Sequence, residues 1–235
     1  MKRTIDLLPA KILAIMVLVT FTSRGAAQGF THNMKFMLHA DPLITWIGSN
    51  NSEYGSTGAK AGFDIGLNAL YYFAENYAAS TGISFLAAGG RQIATENHTM
   101  VFTNFTQVVA PGDEMIYNLR YINIPLGIRL QTNQNGPLTY FTDLGLDIRM
   151  RLKATVDLPA YEISDENATS EVYGINAGWH VIFGLEYEVG TESSIIAGLG
   201  YDQDFFDVTK DLSDVFQPQD RSRIHLVRFR FGYKF

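Results

Sequence analysis

RSRIHLVRFRFGYKF, residues 221–235, is two chemically different rows read through one another. Val227, Phe229, Phe231, Tyr233 and Phe235 make one row; Arg228, Arg230, Gly232 and Lys234 make the other. Successive side chains of a strand leave on opposite faces, so this segment predicts a strand with one greasy face and one basic or empty face.

The same period of two recurs upstream. Phe63, Ile65, Leu67, Ala69, Tyr71 and Phe73 alternate with Asp64, Gly66 and Asn68; Ile122, Ile124, Leu126, Ile128 and Leu130 alternate with Asn123, Pro125, Gly127 and Arg129. Leu144, Leu146, Ile148, Met150 and Leu152 alternate with Asp143, Gly145, Asp147, Arg149, Arg151 and Lys153, and Trp179, Val181, Phe183, Leu185 and Tyr187 with His180, Gly184, Glu186 and Glu188. Weaker alternation at 36–44, 80–88 and 195–202 brings the candidates to eight strands, each long enough to cross a bilayer at a tilt. Short connections at 74–76, 133–137 and 190–192 alternate with long polar ones near 48–58, 91–114, 155–172 and 206–221. That order is the one an up-and-down barrel makes, with short turns on one side of a membrane and long loops on the other.

Beyond residue 27 no run of 18 apolar residues occurs, so helices do not carry the chain through a membrane. A closed barrel is the remaining way to cross hydrocarbon without unpaired amides. The reading is therefore all-β: an eight-stranded antiparallel up-and-down transmembrane barrel. The competing architecture, a soluble lipocalin-type carrier, would turn the apolar rows inward. Gly-rich polar rows, which suit a crowded interior, and large aromatics near strand ends, which suit interfacial girdles, favour the membrane.

Residues 1–27 read as a cleaved signal peptide: Lys2, Arg3 and Lys11 precede the apolar run Ile12–Phe21, and Gly25-Ala26-Ala27 supplies a small-residue cleavage site. Residues 28–235 are then the barrel, exported to an outer membrane. No Cys occurs, which removes disulfides and a lipidated N-terminal cysteine. Losing four basic residues and one acidic one with the signal takes the formal charge from −6 to −9, which argues against nucleic acid as a partner.

Tyr121-Ile122-Asn123-Ile124-Pro125-Leu126 resembles the Tyr-(Ile/Leu)-Glu-(Ile/Val)-Pro-Leu strand of the PorT-like outer-membrane β-barrel family of Bacteroidota-type bacteria. Gly62-Phe63, Thr81-Gly82-Ile83, the Ala-Gln cleavage site and the aromatic C-terminus are similar too. Asn123 stands where that family carries Glu. The resemblance implies an outer-membrane barrel and, more narrowly, an accessory part in protein secretion or assembly.

The candidate site residues are the inward charges. Asp64, Arg129, Asp143, Asp147, Arg149, Arg151, Glu186, Glu188, Arg228 and Arg230 fall on the lumen face, where an eight-stranded barrel has room only for side chains. They are expected to pair as an internal ion network; Lys153, Asp202 and Lys234 share that face. Phe231, Tyr233 and Phe235 look like the C-terminal signal read by the barrel assembly machinery. Phe102 and Phe105, in an unusually apolar loop, are candidates for a contact with a partner. Pro125 implies a bulge or a wet lumen position, and Pro42 the point where the first strand leaves the ladder. No G-x-S-x-G, no metal-ligand spacing and no phosphate-cradling loop occurs, so no catalysis, metal or cofactor is expected. The expected partners are outer-membrane lipid, the assembly machinery and a secretion or envelope protein. A small-solute pore is the competing role, and a lipid-modifying enzyme the third.

Overall fold

Among the described residues eight long strands close on themselves; two short strands extend the wall on the loop side and two more form a separate hairpin there. A computed structural model describes residues 33–49, 54–95, 97–102, 105–190, 192–209 and 222–235. The signal peptide reading, residues 1–27, lies outside these. In chain order the strands are β1 (Met34–Ser49), β2 (Tyr54–Gly58), β3 (Lys60–Ala74), β4 (Tyr77–Ala94), β5 (His98–Val101), β6 (Thr106–Val109), β7 (Glu114–Gln131), β8 (Leu138–Leu158), β9 (Ile163–Asn167), β10 (Ile175–Glu188), β11 (Ser194–Asp204) and β12 (Ser222–Lys234). Pairing runs β10-β11-β12-β1-β3-β4-β7-β8, and β8 pairs back onto β10. β1 and β12 are antiparallel from Met37↔Lys234 to Ser49↔Ser222, which brings the two ends of the barrel chain together. The cylinder therefore has no open edge.

The greasy rows face outward. Phe229, Phe231, Leu146 and Phe183 are 39%, 55%, 54% and 61% exposed, and Leu126 lies opposite Leu146 in mid-wall. Aromatics collect at the short-turn end, with Phe36 against Phe235 at 6.3 Å and Phe73 against Tyr77 at 6.3 Å. A second set rings the loop end on the β1, β10, β11 and β12 side. There Trp46 stacks on His225 at 5.4 Å, and Trp179 tilts against Tyr201 at 5.6 Å. Two aromatic belts of this kind mark the two interfaces of a bilayer.

Above the loop-side belt the pattern inverts. On β7 the inward residues Met115, Tyr117, Leu119 and Tyr121 are apolar, whereas farther down they are Asn123, Pro125 and Arg129. The outward row changes the other way, from Asn118 and Arg120 to Ile122 and the residues below it. Adjacent apolar pairs mark the change: Leu43-Ile44, Phe85-Leu86, Tyr121-Ile122 and Leu226-Val227. The sheet register lines them up, since Phe85 faces Ile122, Leu86 faces Tyr121 and Ile44 faces Val227. At this level the surroundings outside the wall change from lipid to water, and the side-chain chemistry follows.

The inward residues above this level pack into one core that includes Leu43, Ile47, Leu119, Val156, Ile224 and Leu226. Phe102, Val109, Ala168, Val172 and Val208 of the outer connections close over it. Each large apolar side chain buried here contributes about 1.5–3 kcal/mol. β1 and β4 also meet directly: the Thr45 hydroxyl donates to the Gly89 carbonyl (2.7 Å) and accepts the Gly89 N–H (3.1 Å). Gly90 lacks the Cβ that would strike the backbone of Ile47. Gln92 of β4 reaches Ser222 of β12 at 3.1 Å. The upper lumen is packed, not hollow.

Three sequence expectations change here. β1 continues as a strand past Pro42, although its pairing with β12 lapses over residues 40–42 and resumes at Leu43↔Arg228. Its register to β12 is the same on both sides of the proline, Pro42 points outward, and the Asp41 carboxylate accepts the N–H of Phe231. Pro125 makes no bulge, since the β7–β8 register passes through Pro125↔Asp147 unbroken, and its ring borders a lumen cavity. The bulge lies at Arg120/Tyr121, opposite an extra residue in β8. One added residue flips every later side chain to the other face. Lys153 is accordingly on the outer wall with Arg120, not in the lumen.

Candidate functional site

The lumen charges form one buried layer in two parts. In the lower part Arg129 forks onto Asp143, Nε to Oδ1 and Nη2 to Oδ2, both at 2.7 Å, and donates from Nη1 to Glu186 at 2.7 Å. Its guanidinium carbon stands 4.1 Å over the Phe141 ring. Lys234 bonds the other oxygen of Glu186. Two cations thus face two carboxylates, with Met37, Phe141, Ile182 and Ile196 as a small apolar floor.

In the upper part Arg228 is shared by three carboxylates: Asp41 at 2.9 Å, Asp64 and Asp202. Arg230 donates from Nε to Asp41 at 2.8 Å. Arg149 bonds Asp204 and lies 3.5 Å from Asp202 and 3.7 Å from Asp147. His180 donates from Nδ1 to Asp147 at 2.8 Å, because a carboxylate can only accept; Asn123 donates to the other Asp147 oxygen at 3.0 Å. Gly145 makes room for that imidazole, since a Cβ there would stand 2.6 Å from the ring.

Asp64, Arg129, Asp143, Asp147, Arg149, Glu186, Arg228 and Arg230 are thus brought together, all buried. Arg151 and Glu188 are not. Arg151, at the level where the apolar upper core begins, is half-buried and donates to the backbone carbonyls of Thr169 and Val172, tying down an outer connection. Glu188 is exposed past the last inward turn of β10, where Gln134 donates to it. Reading by residue type overlooked Asp41, His39, His180 and Asp204 as members. Asp41 and His39 lie on a strand whose alternation Pro42 interrupts, and Asp204 is one inward position beyond the predicted end of its strand. Asp202 and Lys234, already placed on the lumen face, belong to the layer.

The loop candidates separate. Phe102 is 4% exposed, sealed in the upper core, so it does not offer itself to a partner. Phe105, at 39%, tilts against it with ring centroids 4.9 Å apart, and Val108 is also exposed. Phe231, Tyr233 and Phe235 are all exposed on the lipid face. His225, on the outer wall, has its Nδ1 2.7 Å from the Tyr201 hydroxyl.

Above the membrane the outer wall carries its own polar bonds. Arg91 meets Glu114 at 3.4 Å, Asn118 meets Asp157 at 3.0 Å, and Lys153 and Thr155 both donate to Asp165 of β9. Those two donors hold the Asp165 carboxyl below its usual range, while the hydrogen bond to Asp113 raises the Tyr161 phenol. A depressed folded pKa stabilises above the unfolded value and is lost as pH falls through the folded one. The β8–β9 contact should therefore persist at neutral pH and loosen only below the ordinary Asp value of 3.8. Carboxyl NMR should show Asp165 titrating below 3.8, and Lys153→Met should move it back toward that value. An unshifted wild-type titration would contradict the bonding.

A family model described as "Outer membrane protein beta-barrel domain" matches residues 23–210. No curated protein matches the chain significantly. Among solved structures the chain is similar to Neisserial surface protein A, at 14% identity over 85% of this chain and 95% of that one, TM-score 0.47. It is also similar to OprG of Pseudomonas aeruginosa, at 11% identity over 86% and 95%, TM-score 0.44. Outer Membrane Protein W of E. coli gives 16% identity over 86% and 97%, TM-score 0.39.

Proposed function

Because this chain belongs to the outer membrane protein β-barrel domain family, we propose that it is a sealed, non-catalytic envelope scaffold that works through its outer rim. One observation carries the reading: the lumen is filled twice over, by a buried ionic layer and above it by an apolar core closed with the outer connections. A solute would have to separate bonded ion pairs and then cross packed Leu, Ile and Val side chains, which no small polar species does readily. What remains available to a partner is the rim, with Phe105 and Val108 exposed on the β5–β6 hairpin and charges along the walls of β4, β7 and β8. Within that role the PorT-like strand motif favours service as an accessory to protein secretion or assembly.

Purified protein in planar bilayers is expected to give no stable single-channel steps. Steps that scale with ion concentration would replace this reading by a small-solute pore. Crosslinking in the native envelope should recover a protein through the β5–β6 hairpin, and Phe105→Ala with Val108→Ser should reduce its yield while leaving barrel folding intact. Unchanged recovery in that double variant would remove the hairpin from the contact.

A further inference from the structure

We propose that the cavity in the middle of the lumen binds one divalent cation, held by His39, Asp64 and Asn68 with Asp41 beside them. His39 and Asp41 are two apart on β1, hence on one face, and Asp64 of neighbouring β3 completes a set whose ligand atoms all lie within 4.8 Å of one another. Two strands supply the set, so no spacing along the chain reveals it.

A second observation points to an occupant. Asp64 Oδ1, Asn68 Oδ1, Ser84 Oγ and Asn123 Oδ1 are buried and have no hydrogen-bond partner, and all four residues line this cavity. Buried acceptors are almost always satisfied, and four together around one space call for a shared donor or a cation. His39 Nδ1 belongs with them: it is 3.2 Å from Asp41 Oδ2 but poorly aligned to bond it. Arg228 holds Oδ2 of Asp64, which leaves Oδ1 free on the cavity side.

The charges agree. Asp41, Asp64, Asp147, Asp202 and Asp204 belong to the upper part of the layer, and Arg149, Arg228 and Arg230 answer them, the last two bordering the cavity with Asp64 and Asp147. Two negative charges are left over in a low-dielectric interior, which is the charge of one divalent ion. The cavity volume is ≈ 20 Å³, room for an ion or a water and too small for an organic ligand. One imidazole with carboxylate and amide oxygens suits Mn²⁺ or Zn²⁺ better than a purely soft or purely oxygen-seeking ion.

The competing occupant is water. Refolding the full chain in detergent after chelator treatment, with and without Mn²⁺, separates the two. Bound Mn²⁺ is expected at one equivalent by electron paramagnetic resonance, with a raised unfolding temperature. Asn68→Ala and His39→Gln leave the Arg228 ion pairs in place, and each should weaken Mn²⁺ binding roughly tenfold or more. Absence of bound Mn²⁺ up to about 1 mM overturns the proposal. So does binding unchanged in both variants.

Discussion

Replacing Arg228 with methionine is expected to cost at least about 3–5 kcal/mol, enough to deplete the folded barrel. The reason is the number of carboxylates that depend on this one guanidinium. Asp41, Asp64 and Asp202 converge on it from β1, β3 and β11, and all are buried. Methionine fills the space but leaves Asp64 without a cation, and Asp41 and Asp202 with only Arg230 and Arg149, so that three buried negative charges repel one another. Arg228→Lys keeps the charge and loses the fork, so it should fall between the two. Adding Asp64→Asn and Asp202→Asn to Arg228→Met should restore part of the loss, because neutral amides no longer need the cation. Groups sharing one partner do not add independently. Urea unfolding in phospholipid vesicles measures all four proteins. A wild-type midpoint for Arg228→Met would mean that the layer is hydrated and its charges are screened. Arg120→Met, a cation on the outer wall of the same barrel, should shift stability by no more than about 0.5 kcal/mol.

The contrast between Arg228 and Arg120 also shows what could be read from the chain alone. Strict alternation from Val227 to Phe235 and from Ile122 to Leu130 is enough to establish strands, their lipid-facing rows and the inward position of most charges, because a bilayer enforces period two over the whole span. That logic ends at the headgroups. Above them water is outside and the packed core inside, so the parity of the apolar residues reverses at Leu43-Ile44, Phe85-Leu86, Tyr121-Ile122 and Leu226-Val227. Those pairs are visible in the sequence, but a strand tracked by one parity simply appears to stop there. The bulge opposite Arg120 is harder still, since an extra residue carries no composition signal, yet it alone moved Lys153 to the outer wall. Pair partners were out of reach for a different reason. Alternation puts Arg129, Asp143 and Glu186 on one surface, whereas their bonding depends on the stagger of three strands around a closed cylinder. The same stagger sets His39 and Asp41 beside Asp64.

The reversal of polarity has a consequence that separates two leucines of similar appearance. Leu146 lies in the middle of the outer wall, 54% exposed beside Leu126, so its surroundings are acyl chains. Truncating it to alanine removes little packing, but Leu146→Arg should cost about 2–4 kcal/mol, the penalty for a cation near the bilayer midplane. Leu119 is 1% exposed and faces the lumen above the ionic layer, among Leu43, Val156 and Leu226. For Leu119→Ala the expected loss is about 2–5 kcal/mol, as in a water-soluble core, since the cavity left cannot collapse against paired strands on every side. A barrel with a wet polar bore would behave in the opposite way, accepting Leu119→Ala or even Leu119→Ser without loss. Unfolding free energies for Leu146→Ala, Leu146→Arg and Leu119→Ala in one vesicle system therefore test the sealed upper lumen and the lipid-facing wall together. Near-wild-type stability of Leu119→Ala would open the lumen, and near-wild-type stability of Leu146→Arg would take that wall out of the membrane.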